Sequence, residues 1–229
     1  MKLAVLCLAL VASVRAQVPP EVARAIAAFR TDGPKGWSFT QTTRAGSESL
    51  VEHYNAALPE FERWSLLEKN GAQPKPSDTS EYLEMQSRRS SAETAPALMS
   101  QIDLSRAEVV DTTPERVTYR CPVSPGESSD KVAAHLRATF VYHRSTRTIL
   151  RFEIASVEPF SPTFGVSIED MRTTIAYSLP SPERPSVIEK VSTRVRGRAF
   201  LFKSLDQDMD ITYSDYAYAG KRPAPPQGP

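Results

Sequence analysis

Residues 186–218 read SVIEKVSTRVRGRAFLFKSLDQDMDITYSDYAY. Side chains along a strand alternate between its two faces. On that period Val187, Val191, Val195, Ala199 and Leu201 share one face, and Lys190, Arg194, Arg196 and Arg198 share the other. Past Ser204 the period continues, with Leu205, Met209, Ile211 and Tyr213 on one side and Asp206, Asp208 and Asp210 on the other. The pattern predicts two long antiparallel strands that close a sheet, each with an apolar and a charged face. A three-residue turn over 203–205 would set Arg198 opposite Asp210 and Arg196 opposite Thr212, and a cross-strand ion pair contributes ~0.2–1 kcal/mol. A slip of one residue would turn the valines outward, so register is strongly specified. Arg194, Arg196 and Arg198 are a candidate anion or headgroup site. The competing reading of the same residues is a solvated outer face that fixes register.

Working outward, the preceding segments keep the same period. Residues 135–143 place Leu136, Ala138, Phe140 and Tyr142 on one face, and residues 149–157 place Leu150, Phe152 and Ile154 on one face. These faces meet, with Phe140 opposite Phe152, if the loop has an odd number of residues, as with Ser145-Thr146-Arg147. Strands are also predicted at 36–43 (Trp37, Phe39 and Gln41 on one face), 49–54, 63–69, 108–110, 116–120 and 166–177. Two helices are expected. Residues 21–29 carry Val22, Ile26 and Phe29 at helical spacing after Pro20, which suits a first turn. Residues 78–89 (DTSEYLEMQSRR) run from acidic to basic, complementing the helix dipole. The fold class is therefore mainly β (α+β): an antiparallel meander of about nine to eleven strands, with an N-terminal helix and a covering helix after the third strand.

The ends of the chain indicate its compartment. Lys2, the apolar run at 3–11 (LAVLCLALV) and Val14-Arg15-Ala16 have the layout of a secretory signal. Cleavage is expected after Ala16, giving signal 1–16, a single domain 17–218 and a disordered Pro-rich tail 219–229. The expected location is the periplasm or the exterior, with no transmembrane segment. The chain of 229 residues carries a net charge of +1, a balance that excludes a general nucleic-acid binder. After cleavage Cys121 stands alone, so no internal disulfide is expected. It is read as a small buried apolar residue in a monomer.

Several stretches resemble known secreted proteins. The N-terminal helix followed at once by Ser38-Phe39-Thr40-Gln41, and the run Thr139-Phe140-Val141 … Thr148-Ile149 … Phe152, resemble the first strand and central hairpin of the LolA/LolB/LppX group. Glu52-His53-Tyr54 … Arg63-Trp64-Ser65-Leu66-Leu67 … Asn70-Gly71 and Arg194-Val195-Arg196-Gly197-Arg198-Ala199-Phe200 resemble an uncharacterised family of secreted bacterial proteins. The first resemblance implies that the sheet is curved into an open half-barrel and carries lipid or lipoprotein acyl chains. The chain departs from that group in having Tyr213-Ser214-Asp215-Tyr216 where LolA has Phe-x-Phe-x-Pro, and in lacking a lipoprotein cysteine after the signal. Lipocalins, the nearest competing barrel, need Gly-x-Trp at the first strand, whereas Gly36 directly precedes Trp37.

No reaction is written in the residues. His135 and His143 stand eight apart on one strand, about 27 Å when extended, too far to share a metal. Asp206, Asp208 and Asp210 have the spacing of a calcium loop without its Gly and distal Glu. No phosphate loop or nucleophile elbow occurs, and neither cofactor nor metal is expected. The candidate lining of an apolar site is Trp37, Phe39, Trp64, Phe140, Leu150, Phe152 and Ile154, with Tyr82, Leu83 and Met85 on the covering helix as a lid. The expected function is an exported, non-enzymatic binder or carrier of an apolar ligand, a lipid or a lipoprotein acyl chain. The alternatives are an envelope interaction protein without a small ligand and a hydrolase assembled from separate strands.

Overall fold

The computed structural model describes residues 18–29, 34–89, 101–124, 132–200 and 202–220. The segment 1–16 expected to be a signal, Leu201 and the tail beyond Gly220 lie outside the described residues. Helix α1 (Pro20–Ala27) begins with proline in its first turn and buries Val22 and Ile26. Three strands follow: β1 (Trp37–Ala45), β2 (Glu48–Tyr54) and β3 (Trp64–Lys69). Helix α2 (Pro76–Arg89) comes next. Its first turn carries Asp78, which accepts from the Lys75 amide at 2.9 Å and so caps the helix. The remaining strands are β4 (Glu108–Thr112), β5 (Arg116–Pro122), β6 (Leu136–His143), β7 (Thr148–Ser156), β8 (Val166–Tyr177), β9 (Ile188–Ala199), the two-residue β10 (Lys203–Ser204) and β11 (Gln207–Tyr218).

All eleven form one antiparallel sheet in the order β3-β2-β1-β11-β9-β8-β7-β6-β5-β4, with β10 extending β11 alongside β9. The ends, β3 and β4, do not pair with each other, so the sheet is open. One rung shows how faces are shared across it: Tyr119, Phe140, Phe152, Ile175, Val191, Ile211, Thr43 and Leu50 are successive partners from β5 to β2. This is the inner face. A neighbouring rung, Arg120, Thr139, Glu153, Thr174, Ser192, Asp210, Arg44 and Ser49, lies on the outer face. There Glu153 gathers Arg151 at 2.7 Å, Arg172 at 3.1 Å and Thr174 at 3.2 Å.

Helix α1 is seated on the inner face over β7. Phe29, just past its end, sets its ring 5.1 Å from Phe152, 5.1 Å from Tyr177 and 6.3 Å from Phe140. Each well-placed aromatic pair adds ~0.5–1.5 kcal/mol beyond its area burial. Phe140 and Phe152 are direct partners with rings 5.0 Å apart, as parity requires.

Two turns differ from expectation. The β6–β7 loop has four residues, 144–147, with Arg147 at φ 55. A four-residue loop alone would face Phe140 with Arg151. A bulge between Val141 and Tyr142 restores the register: Val141 meets Arg151, Tyr142 meets Ile149, and Leu150 is the extra residue. Ile149 therefore takes the buried position expected of Leu150. The closing hairpin turns between Ala199 and Lys203 rather than over 203–205, because Phe200 adopts φ 50 and starts the reversal early. Ser192, not Arg198, then faces Asp210, and Lys190, not Arg196, faces Thr212, while Arg194 faces Asp208. The shift is an even number of residues, so the paired side chains keep their predicted faces.

Gly197 has a steric reason. A Cβ there would lie 2.5 Å from the Ser167 carbonyl oxygen on β8, beside the bulge between Ile168 and Asp170. Gly197→Ala is expected to destabilise the fold by ~1–3 kcal/mol through overpacking against backbone; an unchanged denaturant midpoint would contradict this. Cys121 is fully buried, and burial first, with the Asp103 charge second, pushes its thiol up to about 12. Its peptide should resist thiol reagents at pH 8 in the native protein and be labelled after denaturation, as peptide mapping would report.

Candidate functional site

The inner face is largely apolar, interrupted by Thr173, Thr193, Thr43, Gln41 and Glu52, and its burial changes along the sheet. In the rung from β5 to β2, Tyr119, Phe140, Phe152 and Ile175 are buried, whereas Val191, Ile211, Thr43 and Leu50 are half-buried. Met171 and Val195, partners on β8 and β9, and Met209 on β11 are half-buried as well. The half-buried strip therefore lies on β8, β9, β11 and β1, between the regions where α1 and α2 sit.

The sequence-derived lining separates into two packed clusters on either side of this strip. Phe140, Phe152 and Ile154 belong to the core under α1. Phe39 belongs to a second cluster, its ring 5.0 Å from Tyr54, 5.7 Å from Trp64, 5.7 Å from Tyr213 and 5.5 Å from Tyr216. Tyr216 donates to the Ile188 carbonyl at 2.7 Å, and burial raises its phenol above the ordinary tyrosine value. Trp37 packs instead on Tyr218, 5.5 Å between rings, at the start of β1. Leu150 is half-buried in the β7 bulge.

Helix α2 meets the sheet mainly through polar groups. Lys69 on β3 holds Asp78 at 2.7 Å and Glu81 at 3.4 Å. The fully buried Glu52 of β2 accepts from Gln41 of β1 at 2.9 Å and from Gln86 of α2 at 3.2 Å. Of the three expected lid residues, Tyr82 is buried, Met85 half-buried and Leu83 exposed. The sequence pattern places Gln41 on the face of Phe39, but none of Gln41, Glu52 and Gln86 is among the site residues it suggests. The first two stand at inward positions by the same parity that places Phe39 and Tyr54 inside.

The charged stripe of β9 lies away from this site. Arg196 grips Asp208 through two bonds of 2.8 and 2.6 Å. That bond holds the Asp208 carboxyl below, and the Arg196 guanidinium above, their ordinary ranges. Arg198 approaches Glu169 at 3.5 Å, and Arg194 stands opposite Asp208. Histidines are placed elsewhere: His135 contacts Glu158 at 2.9 Å, and His143 contacts Thr146 at 2.8 Å. Among the described residues no three His, Cys, Asp or Glu side chains converge as a metal site, and no helix is long and apolar enough to cross a membrane.

A separate cleft of about 190 Å³ opens beside α1, lined chiefly by Ala25, Phe29, Ile149, Tyr177, Val187 and Ile188. Sites for drug-sized ligands run from ~300 to 1,000 Å³, so this cleft has room for no more than one end of a chain. Comparison with protein-family models, curated proteins and solved structures finds no match to this chain. The class is thus defined by architecture alone: an open eleven-stranded antiparallel sheet with one helix over each flank of its inner face.

The Lys69–Asp78 bond makes α2 docking sensitive to pH. Asp78 is held below, and Lys69 above, its ordinary value, chiefly by their mutual hydrogen bond. The bond contributes fully between the free-chain values of ~4 and ~10.4, and is lost as pH falls through the lowered Asp78 value or rises through the raised Lys69 value. Lys69→Met should speed amide exchange in α2 relative to wild type at pH 7, with the difference shrinking as acid protonates Asp78 below the ordinary carboxylate range. A difference independent of pH would contradict this assignment.

Proposed function

We propose that the protein is an exported, non-enzymatic carrier of an apolar ligand, a lipid or lipoprotein acyl chain, held on the inner face of the sheet between α1 and α2. The observation that carries this reading is the fall in burial along an apolar rung. Val191 and Ile211 continue the line of Phe140, Phe152 and Ile175 but remain half-buried. A strip of that kind, apolar but for the Thr173–Thr193 hydrogen-bonded pair at 3.2 Å, gains free energy when a further apolar group covers it, roughly 25 cal/mol per Å² of apolar surface removed from water.

Helix α2 serves as the movable lid. Its grip is polar, through Lys69–Asp78 and Gln86–Glu52, and Tyr82 is its buried ring. Partly exposed ion pairs and hydrogen bonds exchange with water at little net cost, which suits a cover that opens. The resemblance to the LolA/LolB/LppX group supports the same ligand class. The raised Cys121 thiol gives no support to a cysteine nucleophile, the simplest form of the hydrolase alternative.

Binding of a fluorescent fatty acid, followed by its emission, tests the reading. Wild type should bind the probe. Ile211→Glu should weaken binding about tenfold or more by forcing an unpaired charge against the chain, with unchanged circular dichroism. Tyr82→Ala should speed probe release and, because the ring is buried, also lower the thermal midpoint. Failure of wild type to bind the probe, together with no lipid retained in native mass spectrometry, would overturn the carrier.

A further inference from the structure

Among the described residues the most exposed large apolar side chains include Phe164 (94%), Phe202 (87%) and Phe200 (60%). They stand together at one tip of the sheet. Phe164 lies in the turn before β8, and Phe200 and Phe202 lie between β9 and β10. The two turns are tied: the Phe200 amide donates to the Gly165 carbonyl at 2.6 Å, and Val166 pairs with Ala199 as the last rung of the β8–β9 ladder. Gly165 has φ 76, and a Cβ on it would lie 2.9 Å from the Phe200 ring. The glycine thus lets that ring lie over the backbone of the neighbouring turn. The tip also projects. The β7–β8 ladder stops at Ala155–Arg172, and β8 extends past it as far as Val166, joined to the preceding loop by the single bridge Phe160–Ile168.

Charge is sorted along this arm. Behind the phenylalanines, the first two rungs carry Lys203 and then Arg198, with Val166, Ala199, Ser167 and Ser204 as their partners. Acids follow closely: Glu169 in the bulge approaches Arg198 at 3.5 Å, Asp206 accepts from the Gly197 amide at 3.2 Å, and Asp170 opposite Arg196 and Asp208 opposite Arg194 stand further back. The order is apolar apex, then Lys203, then the Arg198–Glu169 pair with the acids behind it. A lipid leaflet presents the matching order of acyl chains, phosphates and water.

We infer that this tip is a membrane-docking prong: Phe164, Phe200 and Phe202 enter the acyl boundary of an anionic phospholipid bilayer while Lys203 meets headgroup phosphates. A convex prong of separate rings on two turns fits a deformable lipid surface, and apolar area plus attraction to anionic lipid sets the strength of such docking. The inference is independent of the carrier reading, because it uses neither the inner face nor α2.

The test is co-sedimentation with vesicles of phosphatidylcholine containing about 30% phosphatidylglycerol, set against phosphatidylcholine alone. Wild type should pellet with the anionic vesicles. Phe164→Ser combined with Phe202→Ser should lower the bound fraction about tenfold or more, since both rings leave water on docking. Both are exposed, so circular dichroism should be unchanged. Lys203→Glu should weaken binding to anionic vesicles only. In the Phe164→Trp variant, emission from the added indole should shift to the blue and be quenched by lipids brominated on the chains. Wild type that does not pellet, or a double serine variant that binds as wild type does, overturns the prong. The same holds if the indole emission responds to a protein partner but never to bilayers. Loss of fatty-acid binding with vesicle binding intact would overturn the carrier alone.

Discussion

A sheet that does not close has two faces and can bury only one, and the partnership of Phe140 with Phe152 decides which. Both residues are almost wholly buried and follow Tyr119 in the rung that runs from there to Leu50. Phe29 then packs its ring against both, so the first helix has one place to sit. Everything on the outer face follows by alternation. Arg151, Glu153, Arg172 and Thr174 are forced outward, where they satisfy one another. A one-residue error in this single pairing would exchange the aromatic core for the charged network.

The two helices are held by different physics, which gives the molecule an asymmetric inner face. Helix α1 is bound by apolar burial: Val22, Ile26 and Phe29 meet a dense aromatic and aliphatic surface. Helix α2 is bound by Lys69, Gln86 and their carboxylate partners, with one buried tyrosine. Burial of the first kind is lost all at once, whereas polar contacts at a partly wet interface can be traded for water one by one. The firm flank and the loose flank border the half-buried strip of Met171, Val191, Val195, Met209 and Ile211.

Much of this was legible in the residues, for a specific reason. The period of two depends only on the strand, so the faces of β6, β7, β9 and β11 could be read without knowing any partner. Partners were harder. The closing hairpin offers Arg–Asp pairings in more than one frame of the same parity, and the positive φ of Phe200, unusual for a bulky residue, selects a frame that composition does not favour. The bulge at Leu150 has no local signal either, since it compensates a four-residue loop that the sequence allows equally with three. The buried Glu52 and Gln41 were visible by parity, but polar residues at inward positions of an apolar strand draw attention only once a partner such as Gln86 is seen. Among the lining candidates, Phe140, Phe152 and Ile154 fall in one packed cluster and Phe39 and Trp64 in another. Large rings attract one another and leave the smaller Val and Ile side chains beside the space between.

The open sheet has another consequence, at its two terminal strands. A free strand edge presents unpaired amides and carbonyls on which a second chain can grow. Strand β4 is five residues long, is broken by an irregularity between Val109 and Asp111, and carries Glu108 and Asp111. Strand β3 is six residues, ends in Glu68 and Lys69, and has Ala72 folded back onto Lys69 beside it. Short, charged and interrupted edges resist templated growth. The eleven strands can therefore remain a finite sheet, and the Lys69 that anchors α2 also helps keep one chain from polymerising onto the next.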